Sequence, residues 1–185
     1  MKIVIFSDSH GDPETMCGVT EKEKPDMIVH LGDGIADLVK LIERYPDVEL
    51  IKVLGSVDSG SGDDEWLKLI NVLGRRIVIT HGHTFINYTY INELEGYKRT
   101  GEDRAASNKN ILQLIIDNNA DIFLHGHTHE PCINRIQVTM EKTCWIMNPG
   151  SVRHEESGKI NPVYGVIELL EPGTSELRLV EVELK

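Results

Sequence analysis

Lys2-Ile3-Val4-Ile5-Phe6-Ser7-Asp8-Ser9-His10-Gly11 is the stretch from which the rest of the chain can be read. Four apolar residues, mostly β-branched, run without a break into serines, an aspartate, a histidine and a glycine. A short continuous apolar run suits a strand buried on both faces, as in a sheet covered by helices. The polar cluster then falls at the strand's carboxyl end, where open α/β sheets gather their sites.

The same pattern recurs along the chain. Met27–Leu31 ends at Gly32-Asp33-Gly34, and Glu49–Leu54 ends at Gly55-Ser56-Val57-Asp58. Arg76–Thr80 ends at His81-Gly82-His83, and Asp121–Leu124 at His125-Gly126-His127-Thr128-His129. Apolar spacing of three and four predicts helices over Ile35–Tyr45 and Asn108–Asn119. Strand–helix alternation implies right-handed crossovers and a largely parallel sheet. After Pro131 the runs Ile133–Met140, Cys144–Met147, Tyr164–Leu170 and Glu176–Glu183 read as strands without intervening helices, with a turn over 171–174. They predict a second, more antiparallel sheet packed on the first, in one domain over 1–185. Residues 84–107, with Phe85, Tyr88, Tyr90 and Tyr97, form an aromatic-rich insertion. It is either a helical hairpin burying its own aromatics, or a lid or subunit contact that would make the protein a homo-oligomer.

Composition narrows the partners. In 185 residues, 19 Lys+Arg stand against 30 Asp+Glu, a formal charge of −11. That excess opposes binding to long nucleic acid or an anionic membrane by bulk charge, but not binding of a small anion by local cations. No apolar run approaches the roughly 20 residues of a spanning helix. The first strand begins at once, so no signal peptide is expected. Three cysteines, Cys17, Cys132 and Cys144, without Cys-x-x-Cys spacing, suit buried thiols in a reducing cytoplasm. A Cys132–Cys144 bridge across a hairpin is the alternative.

Because each polar cluster follows a strand, Asp8, His10, Asp33, Ser56, Asp58, His81, His83, His127 and His129 can converge on one rim of the fold. Neutral imidazoles and carboxylates without a matching Lys or Arg are ligands lacking a counter-charge. Divalent Mn, Fe, Zn, Ni or Co supplies it. Six or seven ligands suit two ions, roughly 3.5–4 Å apart, which can activate water and grip both oxygens of an in-line displacement. The reaction indicated is hydrolysis, with small phosphate esters as the favoured substrates.

Several motifs resemble the calcineurin-like metallophosphoesterases, above all the small bacterial and archaeal phosphodiesterases. They are Ser-Asp-Ser-His-Gly at 7–11, His-Leu-Gly-Asp at 30–33, Val-Leu-Gly-Ser-Val-Asp at 53–58, Thr-His-Gly-His at 80–83, Gly-His-Thr-His-Glu-Pro at 126–131 and Asn-Pro-Gly-Ser-Val at 148–152. The resemblance implies an α/β fold, a four-layer α-β-β-α sandwich of two mixed sheets, with two metal ions. One ion would take Asp8, His10 and His129, the other His81 and His127, with Asp33 bridging and Mn the first choice.

Three departures from the family pattern shape the expected chemistry. Ser56 stands where the family has an asparagine ligand, so the second metal should be held less tightly. Val57 stands where larger relatives have a histidine that protonates the leaving group, which leaves Asp58, His83 or water for that task. The aromatic stretch after His83 is also longer than in small relatives. A catalytically silent scaffold, as in the retromer-type subunit that resembles these enzymes, is the rival function. His30 and His125 read as buried supports, Asn148–Ser151 as a turn beside the site, and Asp63-Asp64-Glu65 as a solvated helix start. The metallo-β-lactamase signature is absent, since 127–132 read His-Thr-His-Glu-Pro-Cys.

Overall fold

A computed structural model describes residues 1–60, 65–92, 96–154, 161–170 and 174–182. The first half of the chain supplies β1 (Lys2–Phe6), α1 (Pro13–Glu23), β2 (Met27–His30), α2 (Leu38–Arg44), β3 (Glu49–Lys52), β4 (Leu67–Val72) and β5 (Arg75–Thr80). The second half supplies β6 (Thr89–Asn92), β7 (Gly96–Lys98), α3 (Gly101–Asp117), β8 (Ile122–Leu124), β9 (Cys132–Gln137), β10 (Thr143–Asn148), β11 (Val163–Leu170) and β12 (Thr174–Glu181). One sheet runs β12-β11-β1-β2-β3 and the other β4-β5-β8-β10-β9, while β6 and β7 pair separately.

Alternation along the strands builds the layers. Ile3 and Ile5 of β1 join Met27, Val29, Ile77, Ile79 and Leu124 in a cluster between the two sheets. Val4 and Phe6 point the other way, onto Met16 and Cys17 of α1 and Leu38 and Leu41 of α2. On the far side, Val78 and Phe123 pack with Ile111 and Ile115 of α3. Three apolar interfaces make four layers, the α-β-β-α sandwich of two mixed sheets. Each fully buried Ile, Leu or Phe contributes about 1.5–3 kcal/mol. The core sits below the strand ends, so the loops above it are held on a stiff base. Among the described residues, no helix is long and apolar enough to cross a membrane.

The strands after Pro131 do not form a sheet of their own. β9 and β10 extend the second sheet, with β10 parallel to β8, whereas β11 and β12 extend the first, β11 antiparallel to β1 and β12 antiparallel to β11. Each sheet thereby gains an antiparallel margin; with β4 also antiparallel to β5, both sheets are mixed. Two elements escape the apolar pattern. α1 begins at Pro13 behind the cap Asp12, whose carboxylate accepts from Thr15 N, a start signal present in Asp12-Pro13-Glu14. β4 is half exposed and turns into β5 through Leu73 and Gly74, both at positive φ.

The helix expected over Ile35–Tyr45 is a short 3₁₀ turn, Ile35–Asp37, followed by α2. The helix expected from Asn108 starts at Gly101, behind a Thr100/Asp103 capping box. The insertion over 84–107 is therefore not a helical hairpin: it holds the β6–β7 pair and the first turns of α3. The register sets Cys132 opposite Asn148 and Cys144 opposite Ile136, so these thiols do not face each other, and all three cysteines are free. The expected start at Asp63-Asp64 and most of the 171–174 turn lie outside the described residues.

Candidate metal centre

The carboxyl ends of β1, β2, β5 and β8 share one rim, and their loops are laced together by backbone bonds. Asp8 N donates to Gly32 O at 3.0 Å, His10 N to Asp33 O at 3.2 Å, and Gly126 N to His81 O at 2.9 Å. These crossings are close. A Cβ on Gly32 would lie 2.4 Å from Gly55 N, and one on Gly126 would lie 2.8 Å from Asp8 Oδ2. Asp8, His10, Asp33, His127 and His129 all adopt positive φ, between 41° and 68°. Left-handed backbone costs a side-chain-bearing residue of order 1 kcal/mol or more, and its concentration at one rim marks a site held in shape for a purpose.

The rim carries two groups of metal-type donors, Asp8/His10/His129 and Asp33/His81/His127, with the donor atoms of each group within 4.8 Å of one another. Asp8 Oδ1 faces both groups: it is 3.1 Å from His129 Nε2, 3.9 Å from His10 Nε2 and 4.0 Å from His81 Nε2. His81 is fully buried, and its Nδ1–H donates to Leu31 O at 2.9 Å. That bond fixes the ring so that Nε2 points toward the carboxylates. Nε2 lies 3.2 Å from Asp33 Oδ2, yet makes no hydrogen bond to any described residue. Buried nitrogens are seldom left so. Two carboxylates, four imidazoles and an orphaned Nε2 make a donor set that fits divalent transition ions.

The charges agree with this placement. Burial would raise the Asp33 carboxyl, but the His81 ring, Val57 N–H and the Ser56 hydroxyl outweigh it and hold Asp33 well below the usual carboxylate range. Asp8 is likewise lowered: burial is outweighed by His129, His81 and Ser7. Burial, helped by the neighbouring His81, pushes His127 down to about 4, which keeps the ring neutral with one nitrogen lone pair free at pH 7. His81 goes the other way: Asp33 and Asp8 overcome the effect of burial and raise it, so a metal ion would take the place of a proton there.

Ser56, Asp58 and His83 fall in three different places. Ser56 is exposed, and its hydroxyl donates to Asp33 Oδ2 at 2.9 Å. Asp58 turns away from the donors and ties two loops together. Its Oδ1 accepts from Gly34 N and Ile35 N at 2.9 and 3.0 Å, and its Oδ2 from Asp33 N and Gly55 N at 2.7 and 2.8 Å. Burial is outweighed by these four donors, so Asp58 stays ionised. A carboxylate so occupied does not fit the proton-donor role expected from the sequence. His83 borders the site, its ring 5.4 Å from His81, 6.1 Å from His127 and 4.7 Å from the half-exposed Trp66. Burial, with His81 nearby, lowers its pKa, so it is neutral at pH 7.

The supports explain further motif residues. His30 accepts from Gly32 N through Nδ1 at 3.2 Å, which leaves Nε2–H for Ser9 Oγ at 3.3 Å, and burial keeps it neutral with a pKa of about 4. Asn148 Nδ2 donates to Thr128 Oγ1 at 2.8 Å and Ser151 Oγ to Asp8 O at 2.7 Å, so Asn148–Ser151 braces both donor loops. The sequence reading overlooked Ser9 and Asp37. Ser9 Oγ and Gly11 N both donate to Asp37 Oδ2, at 2.7 and 2.8 Å. Only the alternation of Ser and ligand in Ser7-Asp8-Ser9-His10 hinted at such bracing.

Asp58→Ala is expected to cost about 2–4 kcal/mol, because four amides lose a charged acceptor. The Asp58 pKa is lower in the folded chain, so its contribution is complete above the unfolded value of about 3.9 and fades as pH falls through the folded one. Urea unfolding of both proteins should give a gap that is constant from pH 5 to 8 and closes below about pH 4. A gap that widens in acid would contradict this sign.

Fold and rim together define a metal-dependent phosphoesterase class, and the chain belongs to it: residues 1–171 match the calcineurin-like phosphoesterase superfamily domain. It is 28% identical over 155 residues to Bacillus subtilis YsnB, named a probable metallophosphoesterase, covering 83% of this chain and 76% of that protein. A Streptococcus pneumoniae structure described as a predicted phosphoesterase superposes with a TM-score of 0.65 at 22% identity, covering 97% of each chain. Entamoeba histolytica Vps29 complexed with zinc does so with a TM-score of 0.62 at 16% identity, over 98% of this chain and 99% of that one.

Proposed function

We propose that the protein is a phosphodiesterase that hydrolyses small phosphate diesters with two divalent metal ions, Mn before Zn, Fe, Ni or Co. We assign Asp8, His10 and His129 to one ion and His81 and His127 to the other, with Asp33 shared. The observation that carries the reading is the pair of donor groups at one rim, one around Asp8 and one around Asp33, with the orphaned His81 Nε2 facing both carboxylates. Bound there, two ions would supply Lewis acidity that activates water and neutralises charge developing on the phosphoryl oxygens.

The chain's own residues do the rest. The Leu31 carbonyl orients His81, and Ser7 and His127 N–H orient Asp8. Ser56 we assign to steadying Asp33 through its hydroxyl rather than to ligation. Asp58 we assign to positioning the 33–35 loop. His83, neutral and beside Trp66, lines the approach to the reacting phosphate. We place the protein in the cytoplasm and treat residues 1–185 as one domain.

A partner-binding role in the manner of Vps29 is the second reading. What favours it is apolar exposure beside the rim, 69% for Val57 and 47% for Trp66. One assay separates the two. Protein stripped of metal should cleave bis(4-nitrophenyl) phosphate only after Mn is restored, and faster than 4-nitrophenyl phosphate. No turnover with any of the five metals would overturn the enzymatic reading in favour of the scaffold.

A further inference from the structure

Beside the candidate metal centre, α3 and the β9–β10 edge of the second sheet flank an open cavity of about 740 Å³. Its lining includes the apolar Ile111, Leu112, Ile136 and Ile146. Its rim is cationic. Arg99, Arg104 and Arg135 stand there against one carboxylate, Glu130, in a chain whose formal charge is −11. The size is that of a pocket for a drug-sized molecule, and the sign of charge is reversed from that of the whole protein.

Glu130 occupies part of this rim. It meets Arg104 Nη1 and Nη2 at 3.3 and 3.2 Å, and Arg99 Nη1 at 3.6 Å. Arg135 is engaged elsewhere, donating to Thr143 Oγ1 and lying 5.4 Å over Trp145. Arg99 is different. Its side chain is only 12% exposed, and its buried Nε makes no hydrogen bond to any described residue. A buried guanidinium donor without a partner is costly, and an incoming anion would relieve that cost.

The cavity is also tied to the metal centre. Arg99 lies 6.0 Å over the Tyr88 ring, and that ring meets His127 edge-on at 5.4 Å. The loop after β8 serves both places: His127 and His129 join the donor groups, while Thr128 and Glu130 line the cavity.

We infer that this cavity is the subsite for the non-reacting half of the substrate, a phosphodiester with a ring-sized apolar body and a second anionic group that pairs with Arg99. The inference rests on the phosphodiesterase reading and adds the substrate class to it. Glu130 then holds the arginines in place until the substrate anion takes them over.

Two measurements test it. The first needs no metal and no turnover: 8-anilinonaphthalene-1-sulfonate, an aromatic body with an anion, is titrated into chelator-treated protein. Arg99→Met should weaken its binding about tenfold, and Arg99→Lys should recover part of the loss. Near-UV circular dichroism identifies any variant that has lost its fold. The second compares the 4-carboxyphenyl and phenyl esters of 4-nitrophenyl phosphate with Mn restored. The wild type should have the lower KM for the carboxylated ester, and Arg99→Met should erase about tenfold of that preference. Equal dye affinity in folded wild type and Arg99→Met, or an unchanged KM ratio, overturns the inference. Absence of all turnover would instead sink the phosphodiesterase reading, whereas Arg99-dependent dye binding would still locate the anion site.

Discussion

Asp33→Asn should leave the fold intact while reducing diester hydrolysis about 10³-fold and stripping the protein of metal. Asparagine keeps the shape of the side chain and can still accept from Val57 N, which Asp33 Oδ1 does at 2.9 Å. What disappears is the charge facing His81, on the residue assigned to both ions. With it goes the ionised oxygen that the His81 ring, Val57 N–H and Ser56 hydroxyl hold ready against the effect of burial. Elemental analysis and kcat/KM should fall together, with near-UV circular dichroism unchanged. A variant that retains its metal and cleaves diesters within a few-fold of wild type would remove Asp33 from the centre.

The leaving group should matter by a similar factor. Both residues first considered as proton donors are unsuited to it, Asp58 because four amides occupy its ionised carboxylate and His83 because burial keeps it neutral. Val57, where larger relatives of the family have a histidine, has no proton to give. A positioned general acid contributes about 10²–10⁴ in rate, so 4-nitrophenyl esters should outpace ethyl esters by a comparable margin. Rates for nitrophenyl, phenyl and ethyl diesters should fall steeply as the leaving-group pKa rises. Equal rates along the series would require a proton donor at this rim.

How much of this was legible in the sequence depends on how local each signal is. β1, β2, β5 and β8 are continuous apolar runs ending in Gly and ligand-type residues, and both features are local. So is the resemblance carried by Gly126-His127-Thr128-His129. α1 was not legible, because its inward face mixes Met16, Cys17, Val19 and Thr20 with the buried Glu23, too polar for an apolar stripe. β4 was hidden by half exposure, and its hairpin partner is recognised only once Leu73-Gly74 is seen to turn. The separation of β9–β10 from β11–β12 between two sheets is a tertiary choice that no local pattern records. For Asp58, the motif predicted its position at the rim, whereas its role depends on which way the carboxylate turns, and four backbone amides settle that orientation.

The central claim is that two donor groups at one rim hold two ions and act on phosphodiesters. It is tested most directly by counting metal and measuring rate on the same sample. Protein reconstituted with Mn and freed of excess metal should carry about two ions per chain, cleave bis(4-nitrophenyl) phosphate, and lose both properties on chelation. A folded protein that takes up no metal and shows no metal-restored hydrolysis would contradict the account.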